Sequence, residues 1–567
     1  MTKKVLVTAA LPYVNNVPHL GHIAGSHLPA DIYTRFSRAK GYDTLLIGGT
    51  DESGSPSELA AESLNIPLKE FSKKLYEIHS KIYKWFGISY DNFSRTSRQV
   101  HTETAQEFFK EIYKNKYITE GTIKVFYSPT EDRYLADRFI IGNCPKCDYE
   151  SASGDQCEKC TSVYNETELK NPKSAISGKP VEIVDAKHLF LRLDKLEPKI
   201  KKWIDKQKSW KTQVKGIANG WIKEGLKERC ITRDLKNGIP VPIKGFEDKV
   251  MYVWFEAPIG YVSSTKELLP DKWEDYWKGK DTKIIHFLGK DNIPFHTIFW
   301  PAIIIASDNK VNLPTHVEGY QYLNFEGGKF SKSKGRGVFC ENLPESGIDP
   351  ELLRTYITQI LPETSDSEFK WDDFKTQTNS NLIGNLSNFI NRTLKFIESK
   401  LNGKITKPTK EDLTDLDIQL QNKIDSSIKE IENLMENSEI RKAYNTLLSL
   451  SSEGNKYFDE TKPWVLVKEN PEQTEKILYQ CANLCKSLAI LSFPFIPNAS
   501  QKIWNQLGLK GKVSENGIWD KEIKKDLPKE HKIGKPDILF KTLDDDFLKN
   551  FKEKVSKAPD LKKIFKK

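Results

Sequence analysis

The sequence of 567 residues has no uncharged apolar run close to the ~20 residues that are needed to cross a lipid bilayer. It also lacks internal repeats, low-complexity stretches, lipidation motifs and an amphipathic membrane anchor, which excludes fibrous proteins and argues against a membrane partner. The N-terminal stretch MTKKVLVTAALPYV has too short an apolar core for a secretory signal peptide, and it continues into polar residues. We interpret it as a buried strand of a globular protein.

Cysteine is scarce for a secreted protein of this length, with eight residues in all. Four lie close together, and the others are scattered as Cys230, Cys340, Cys481 and Cys485. This distribution is not a disulfide framework, and it favours a reducing cytoplasm and one metal site. Cys481 and Cys485 fall on the apolar stripe of a predicted helix, so we expect them in a core.

Charge is unevenly distributed along the chain. The net charge is +9, and residues 521–567 hold fifteen lysines against nine acids, a net of +6. Such a basic segment indicates either a polyanionic partner, nucleic acid before membrane, or a solvated tail, and charge alone favours neither. The length predicts three or four domains.

Residues 1–117 alternate between strand and helix patterns. VLVTAA and TLLIGG read as buried strands, and between them apolar residues recur at helical spacing in HIAGSHLPADIYTRFSRAKG. A βαβ pattern of this kind predicts a parallel sheet with helices on both faces. The pattern breaks near residue 118 and returns near residue 230 with the predicted strands VMYVWF and KIIHFLG and a helix in HTIFWPAIIIAS. The sheet is therefore predicted to be split by an insertion.

Long amphipathic helices begin near residue 372. One apolar stripe runs through Leu416, Leu420, Ile424, Ile428, Ile431 and Met435. A second stripe surrounds the two late cysteines. Both predict a helix bundle.

The stretch PHLGH, residues 18–22, places two histidines around a glycine directly after the first predicted strand. Glycine at a strand-to-helix turn lets backbone approach a ligand, and the first helical turn offers unpaired N–H groups. His19 and His22 would share one helix face, where imidazole N–H groups suit nucleotide phosphates. The alternative is that both histidines cap the helix or make buried structural hydrogen bonds.

The stretch KFSKSKG, residues 329–335, interleaves lysines with serines between glycine pairs. We interpret it as a mobile basic loop that closes over a polyphosphate, with a surface charge run as the alternative. Together, the two stretches resemble the paired signatures of class I aminoacyl-tRNA synthetases, usually written HIGH and KMSKS. Leu20 here replaces isoleucine and Phe330 replaces methionine, and the order and separation of the motifs fit that family.

The clustered cysteines form CPKCDYESASGDQCEKC, two C-x-x-C pairs with nine residues between them. This spacing predicts one closed, structural Zn²⁺ site of four thiolates at Cys144, Cys147, Cys157 and Cys160. Two redox pairs are a weaker alternative, because thioredoxin-like motifs come singly. The knuckle in this insertion is similar to that of methionyl-tRNA synthetases, as are ALPYVNNVPHLGH, GTDESGSP, CITRDL, YVWFEAPIGY, FLGKDNIPFH and KPW, and the resemblance extends to about residue 505.

The resemblance implies a division of the chain. It predicts an α/β protein with a Rossmann-type parallel sheet split by a zinc-binding insertion, followed by an all-α helix-bundle anticodon-binding domain. The implied parts are the first half of the catalytic domain (1–117), the insertion (118–230), the second catalytic half (231–328), the KMSKS loop and stem-contact region (329–371), the anticodon-binding domain (372–510) and a Lys-rich C-terminal segment (511–567).

The resemblance also implies a pocket for methionine. The family's pocket falls on Leu11, Tyr13, Asp51, Trp254, Ala257, Pro258, Tyr261 and His296. Aromatic walls suit a thioether through sulfur–aromatic contact, and a carboxylate suits the substrate ammonium. Each of these residues alone would more often belong to a core.

For ATP, the resemblance points to His19, His22, Lys329 and Lys332, with Asp291 nearby. Arg233 is a further candidate, and a structural salt bridge to Asp234 or another acid is an equally weighted alternative. The implied reaction is attack of the methionine carboxylate on the α-phosphorus of ATP, followed by transfer to the tRNA. Mg²⁺ is expected with ATP, although the sequence shows no carboxylate cage for it.

Recognition of tRNA(Met) is expected at a distance from this site. Trp464 matches the family's anticodon-stacking tryptophan, and Asn388 and Arg392 lie four residues apart on one predicted helix face. A polar helix face in solvent is the alternative for the latter two. One knuckle is present where some relatives have two, and no appended dimerising domain is seen, so a cytoplasmic monomer is expected, with tRNA affinity from the basic tail.

Three functions are compatible with these patterns. The first is ATP-dependent ligation of L-methionine to tRNA(Met) through methionyl-adenylate. The second is another class I synthetase for an apolar amino acid, which would need a long editing insertion that about 110 residues hardly accommodate. The third is a non-enzymatic tRNA-binding relative, which should have lost signature residues such as His19, His22, Lys332 or Asp51.

Overall fold

The computed structural model describes residues 3–154, 157, 159–160, 162, 164, 166–330 and 335–566. In this part of the chain, five parallel strands form a central sheet. Alternate residues of its middle strand enter two separate apolar cores, Val5 and Val7 on one face and Leu6 on the other. The order across the sheet is His316–Tyr320, Lys283–Gly289, Lys4–Ala9, Asp43–Thr50 and Asn92–Arg95. The predicted parallel sheet with two covered faces is confirmed.

Helices cover both faces of this sheet. The predicted helix after the first strand forms as three joined segments, Leu20–His22, the π-helical Ile23–His27 and Leu28–Ala39. The one in HTIFWPAIIIAS forms as the π-helical Phe295–Phe299 and Trp300–Ala306. The other α-helices of this part are Ser55–Ser63, Leu68–Trp85, Gln99–Lys114, Val253–Glu256, Gly260–Leu268, Trp273–Trp277 and Pro350–Gln359.

The predicted strand VMYVWF is wrong in its second half. Only Val250–Met251 is extended, where it pairs with Thr232–Arg233, and a helix begins at Val253. The run is apolar at nearly every position, so its composition could not distinguish a strand from a helix. A further strand pair, Leu323–Phe325 with Ser367–Phe369, flanks the KFSKSKG stretch in the sequence.

The insertion between the sheet halves is built mainly from antiparallel strands. One sheet has the order Arg229–Cys230, Glu182–Leu191, Ile118–Ser128 and Arg133–Leu135. A second has the order Ala152–Ser153, Ile140–Asn143 and Lys170–Ser174. The sequence patterns did not predict the helices Leu193–Lys206 and Thr212–Glu224, whose apolar residues join the core on the Leu6 face of the central sheet.

The C-terminal part is a helix bundle, as predicted. Its α-helices are Trp371–Gln377, Asn388–Leu401, Asp415–Glu436, Ile440–Thr461, Pro463–Glu469, Pro471–Ser492, Pro497–Gln506, Ile518–Glu522, Asp545–Val555 and Leu561–Lys566, with the π-helical Thr378–Ser387 and the strand pair Lys404–Thr406 and Glu530–Lys532. Cys481 and Cys485 are fully buried in its core, as expected.

The basic C-terminal segment is folded rather than a solvated tail. The apolar core that contains Val5 and Val7 also includes Leu539, Phe551 and Val555. The ring of Phe565 stacks on Phe71 with 5.0 Å between centroids. The lysines therefore lie on the outer side of a packed segment. No helix in the described residues is long and apolar enough to cross a bilayer.

Candidate functional site

A cavity of about 340 Å³ lies beyond the carboxyl ends of the central strands. Ligands of open α/β sheets bind in such crevices, because loops from several strands converge there. The cavity is lined by all eight residues predicted for methionine and by both histidines of PHLGH, namely Leu11, Tyr13, His19, His22, Asp51, Trp254, Ala257, Pro258, Tyr261 and His296. The structure brings these residues together from separate parts of the chain.

The side chains of His19 and His22 form the cap of the short helix that starts at Leu20, within PHLGH. The Nδ1 atom of His19 accepts from the backbone N–H of Gly21 at 3.1 Å, and Nδ1 of His22 accepts from the N–H of His19 at 3.1 Å. The glycine is required because a Cβ atom at position 21 would lie 2.8 Å from Cε1 of His19. The capping role that the sequence left as an alternative is therefore present.

Capping also sets the tautomer of both rings. A ring whose Nδ1 accepts a backbone hydrogen bond has its proton on Nε2 when it is neutral. The Nε2–H groups of His19 and His22 are therefore donors that the helix cap does not use, while Nδ1 of each ring accepts the capping hydrogen bond. Since both side chains line the cavity, capping and ligand contact are compatible roles for these residues.

Asp51 lies at the start of the loop after strand Asp43–Thr50 and is 4% exposed. Burial, and then the nearby carboxylate of Glu256, raise the pKa of Asp51 well above its usual value. Glu256 in turn is fully buried, with Oε2 lying 2.7 Å from Nε2 of His101. Two buried carboxyl groups therefore lie close together. An ammonium group bound beside Asp51 would stabilise the ionised form of this residue.

Aromatic side chains form another wall of the cavity. The rings of Trp254 and Phe295 stack with 3.6 Å between centroids, and Tyr13 meets Trp254 edge-on at 5.9 Å. The hydroxyl of Tyr261 lies 2.9 Å from Nε2 of His296, whose Nδ1 donates to the carbonyl of Asn292 at 2.9 Å. Burial lowers the pKa of His296 to about 4, so this ring is neutral at neutral pH and Nε2 accepts the tyrosine hydrogen.

The other ATP candidates lie near the cavity rather than among its lining residues. The ring of Phe330 stacks on His19 with 4.6 Å between centroids, so the second residue of KFSKSKG lies against PHLGH. The hydroxyl of Tyr322 donates to Asp291 at 2.5 Å, and the ammonium of Lys329 lies over the same tyrosine ring at 5.1 Å. Lys332 lies outside the described residues.

Arg233 does not line this cavity with the other candidates. Its guanidinium pairs with Asp137 at 3.3 Å and lies 3.9 Å from the ring centre of Tyr252. The structural salt bridge that the sequence left open is present, although its partner is Asp137 and not Asp234. The adjacent Asp234 pairs with His188 and Lys249 instead.

The four clustered cysteines converge as the spacing predicted. Their sulfur atoms all lie within 4.8 Å of one another, with 3.7 Å between Cys144 and Cys160 and 3.6 Å between Cys147 and Cys157. A Zn–S bond of about 2.3 Å gives tetrahedral S–S edges of about 3.8 Å, so both distances fit zinc. Backbone N–H groups of Lys146 and Cys160 donate to the knuckle sulfurs.

The three anticodon candidates form one surface cluster. Asn388 and Arg392 both contact the side-chain oxygen of Asn455, and the guanidinium of Arg392 lies 4.1 Å from the ring centre of Phe458. Trp464 stacks on that phenylalanine at 6.0 Å and is 43% exposed. A large exposed aromatic ring beside a guanidinium and amides suits the stacking and edge recognition of unpaired bases.

Comparisons with known proteins agree with this geometry. A family described as "tRNA synthetases class I (M)" matches residues 5–394, and one described as "Anticodon binding domain of methionyl tRNA ligase" matches residues 407–560. The chain is 42% identical to the methionine–tRNA ligase 1 of Acaryochloris marina, over 97% of this chain and 99% of that protein.

The chain belongs to the methionyl-tRNA synthetase family. It is also 40% identical to the cytoplasmic methionine–tRNA ligase of Arabidopsis thaliana, over 97% of this chain and 71% of that one. Among solved structures, the methionyl-tRNA synthetase of Mycobacterium tuberculosis in complex with methionyl-adenylate matches with a TM-score of 0.79. Its sequence is 22% identical, covering 95% of this chain and 100% of that one, so it supports the fold.

Sequence reasoning missed part of this synthetase site. The cavity is also lined by Ala10, Pro12, Asn15, Asn292 and Phe295. All five lie in the quoted stretches ALPYVNNVPHLGH and FLGKDNIPFH, so those motifs were signals for them. The pairing of Glu256 with His101 had no such signal, because 155 residues separate them and neither pattern nor spacing connects them.

Proposed function

We propose that this chain ligates L-methionine to tRNA(Met), using ATP and a methionyl-adenylate intermediate. The observation that supports this most is the single cavity shared by the methionine candidates and the two histidines of PHLGH. Membership of the methionyl-tRNA synthetase family, with relatives aligned over nearly the whole chain, favours methionine over another apolar amino acid and an enzyme over a non-catalytic relative.

The reaction has two displacements. A carboxylate oxygen of methionine attacks the α-phosphorus of ATP, the bond to the β-phosphate oxygen breaks, and pyrophosphate leaves. The 2′-hydroxyl of the terminal adenosine of the tRNA then attacks the adenylate carbonyl, and AMP leaves. No side chain forms a covalent bond, so the protein contributes positioning and charge stabilisation.

The proposed methionine site uses Asp51 for the ammonium and Tyr13, Trp254 and Tyr261 for the side chain. A desolvated carboxylate holds an ammonium more strongly than an exposed one, because water competes less. Aromatic walls contact the thioether sulfur favourably. Since Tyr261 donates to His296, it presents its oxygen to the substrate side chain rather than a hydrogen.

The proposed ATP site uses the Nε2–H donors of His19 and His22 together with Asp291, Lys329 and Lys332. Donors fixed before the reaction stabilise developing phosphate charge without reorganisation, and capping fixes both rings. In the described residues, the four knuckle cysteines are the one group of three or more metal-binding side chains, so Mg²⁺ is proposed to enter with ATP as part of the substrate. Arg233 pairs with Asp137 and therefore has a structural role in this proposal.

The remaining parts divide the work of recognition. We assign the catalytic role to 1–117 and 231–328, placement of the acceptor end to 118–230 and 329–371, and anticodon reading by Trp464, Asn388 and Arg392 to 372–510. Zinc held by the four knuckle thiolates would stiffen the insertion as a closed structural site. The cytoplasmic location and the monomeric state stay predictions.

Aminoacylation with labelled methionine tests the complete function. Purified chain should attach methionine to a tRNA(Met) transcript in the presence of ATP and Mg²⁺, and omission of ATP should abolish the attachment. A transcript with a substituted anticodon should be charged far less efficiently, by a factor of ~10² or more. Charging of both transcripts at equal rates would contradict the proposed anticodon site, and charging of neither would contradict the function.

A further inference from the structure

A second cavity, of about 890 Å³, lies apart from the proposed active site, at the junction of the insertion with the catalytic part. Its lining includes a cysteine, a histidine and an aspartate that the proposed reaction does not use: Cys230, His188 and Asp234. A thiol beside a histidine and a carboxylate is the arrangement that activates cysteine nucleophiles. These three residues could therefore form a reactive cluster outside the proposed active site.

Local structure holds the cluster together. Strand Glu182–Leu191 carries His188, and the backbone N–H of Ile231 donates to the carbonyl of Leu189 at 2.9 Å. The following residues bring the other members to the imidazole: Nδ1 of His188 lies 2.9 Å from Oγ1 of Thr232, and Nε2 lies 2.9 Å from Oδ2 of Asp234. The thiol of Cys230 donates to the carbonyl of Thr232 at 3.4 Å, and Cys230 lies opposite Phe190, which is two residues from His188 on the same face of its strand.

The electrostatics of the cluster favour a thiolate–imidazolium pair. Although burial opposes both effects, contact with His188 and the charge of Arg233 lower the pKa of Cys230, and contacts with Asp234 and Cys230 raise the pKa of His188. Lys249 pairs with Asp234 and keeps that carboxylate charged. The groups around Cys230 thus favour the thiolate form of this residue.

The other cysteines outside the knuckle differ from Cys230. Cys340, Cys481 and Cys485 are fully buried, and burial raises the pKa of each thiol. Structural thiols of this kind are inert, whereas a thiolate beside an imidazolium and open to a cavity reacts with small electrophiles. The chain thus contains three internal controls for the behaviour of Cys230.

We propose that Cys230 is a modification site for hydrogen peroxide and other small electrophiles that enter the second cavity, with His188 and Asp234 as its activating partners. In the peroxide reaction, the thiolate sulfur attacks one peroxide oxygen, an S–O bond forms and the O–O bond breaks. The leaving hydroxide takes the proton of the His188 imidazolium and departs as water. Sulfur is oxidised to sulfenic acid, peroxide is reduced, and the imidazole is left neutral.

Several other charged groups face this cavity and enter any pH dependence. They are Lys124, Asp137, Lys146, Glu168, Glu224, Lys227, Glu228, Arg229 and Arg233.

Site-resolved alkylation tests the proposal. The native, zinc-supplemented full chain is pulsed with iodoacetamide between pH 6 and 9, and each cysteine is quantified by peptide mass spectrometry. We expect Cys230 to be labelled at least tenfold faster at pH 7 than Cys340, Cys481 or Cys485, with a rate midpoint below the value of about 8.5 of a free thiol. Equal labelling rates, or a midpoint at or above that value, would overturn the proposal.

Variants separate activation from exposure. His188→Gln should move the midpoint of Cys230 upward and slow its labelling at pH 7 about tenfold, and Asp234→Asn should act in the same direction with a smaller effect. The three buried cysteines must stay unlabelled in both variants, which reports in the same digest that the fold persists. If Cys230 of a folded His188→Gln chain reacts as in the unaltered protein, the histidine has no activating role.

A peroxide experiment tests the reaction itself. After exposure of the native chain to dilute hydrogen peroxide, dimedone should trap a sulfenic acid at Cys230, and Cys230→Ser should abolish that adduct. Adducts at other cysteines with none at Cys230 would contradict the assignment.

Discussion

At the scale of single residues, the proposed ammonium site depends on the charge of Asp51. Another buried acid, Glu256, lies near this carboxylate, and both burial and that neighbour raise the pKa of Asp51. Glu52, which pairs with Arg95 at 2.7 Å, raises it further. The ammonium group of the substrate would supply a positive charge that favours the ionised form of Asp51.

A pH dependence follows from the direction of this shift. Because the pKa of Asp51 is raised, the residue in the empty pocket holds its proton at pH values where an exposed aspartate is ionised. An ammonium binds the ionised form, so methionine affinity should fall as the pH decreases through the raised pKa. Glu256→Gln removes one cause of the shift and should move this acid limb to lower pH, whereas Asp51→Asn should weaken binding at every pH.

Calorimetric titration with methionine, in the absence of ATP, measures these affinities. Acid limbs that coincide in the unaltered chain and in folded Glu256→Gln would contradict the electrostatic role given to Glu256.

His22 has a structural role and a proposed chemical role, and two substitutions distinguish them. His22→Ala removes both the cap acceptor and the Nε2–H donor and should slow adenylate formation by ~10²–10³ with little change in methionine affinity. His22→Asn keeps an oxygen that can accept from the N–H of His19, but its shorter amide does not place a donor at the position of Nε2. Presteady-state adenylate formation should be slow in both, and recovery of the rate in His22→Asn would show that capping alone matters.

At the scale of elements, the proposed anticodon site depends on how two helices meet. Helix Asn388–Leu401 presents Asn388 and Arg392 four residues apart, and helix Pro463–Glu469 begins at the residue before Trp464. Lys462, with φ of 44°, adopts the left-handed conformation that separates the second helix from the one before it. This turn directs Trp464 toward Phe458 and Arg392.

Trp464→Ala should weaken the use of tRNA without affecting adenylate formation. Stacking of one base on an aromatic ring contributes about 1–3 kcal/mol, so kcat/KM for tRNA(Met) should fall by ~10–100-fold. Val465, which is 45% exposed on the same helix, offers the matched control, since Val465→Ala removes a similarly exposed apolar side chain. A loss of the same size in both variants would mean that general surface contact, and not stacking, explains the effect.

The sequence predicted elements best where periodicity and motif agreed. The strand KIIHFLG has the predicted bounds, and the helix after PHLGH is present although its Ile23–His27 segment is π-helical. Short apolar runs were ambiguous, as VMYVWF shows. The contacts of Arg392 with Asn455 and Asp459 could not be predicted, because they depend on the packing of two helices rather than on either pattern.

At the scale of the whole molecule, one buried arginine joins the catalytic part to the helix bundle. Arg354 is 1% exposed and pairs with Asp31 at 2.8 Å, on the helix that continues from PHLGH. It also donates to the carbonyls of Pro494 and Phe495 in the bundle, both at 2.9 Å. Although burial opposes it, the charges of Arg35 and Arg354 lower the pKa of Asp31 to about 2.

Arg354→Ala should destabilise the protein strongly. It leaves Asp31 with only Arg35 as a charged partner in a buried site and releases three backbone acceptors, which costs about 3–5 kcal/mol in the free energy of unfolding. Because the pKa of Asp31 is lowered, its contribution is present above the unfolded value of about 3.9 and is lost as the pH falls toward 2. Arg441→Ala, at an exposed position, is the control and should change stability by less than about 0.5 kcal/mol.

Urea denaturation followed by circular dichroism measures both variants. Equal midpoints for Arg354→Ala and the unaltered chain would contradict the proposed junction. Truncation of the chain at residue 520 would remove core side chains such as Phe551 along with the lysines, so it would also destabilise the fold.

ATP–pyrophosphate exchange without tRNA, performed with each standard amino acid in turn, is the first test of the proposed function. We expect exchange with methionine alone, because one cavity is lined by the methionine candidates and by His19 and His22. Exchange with leucine, isoleucine or valine in place of methionine would keep the fold and contradict the substrate. No exchange with any amino acid, in folded and zinc-supplemented protein, would contradict the proposed catalysis.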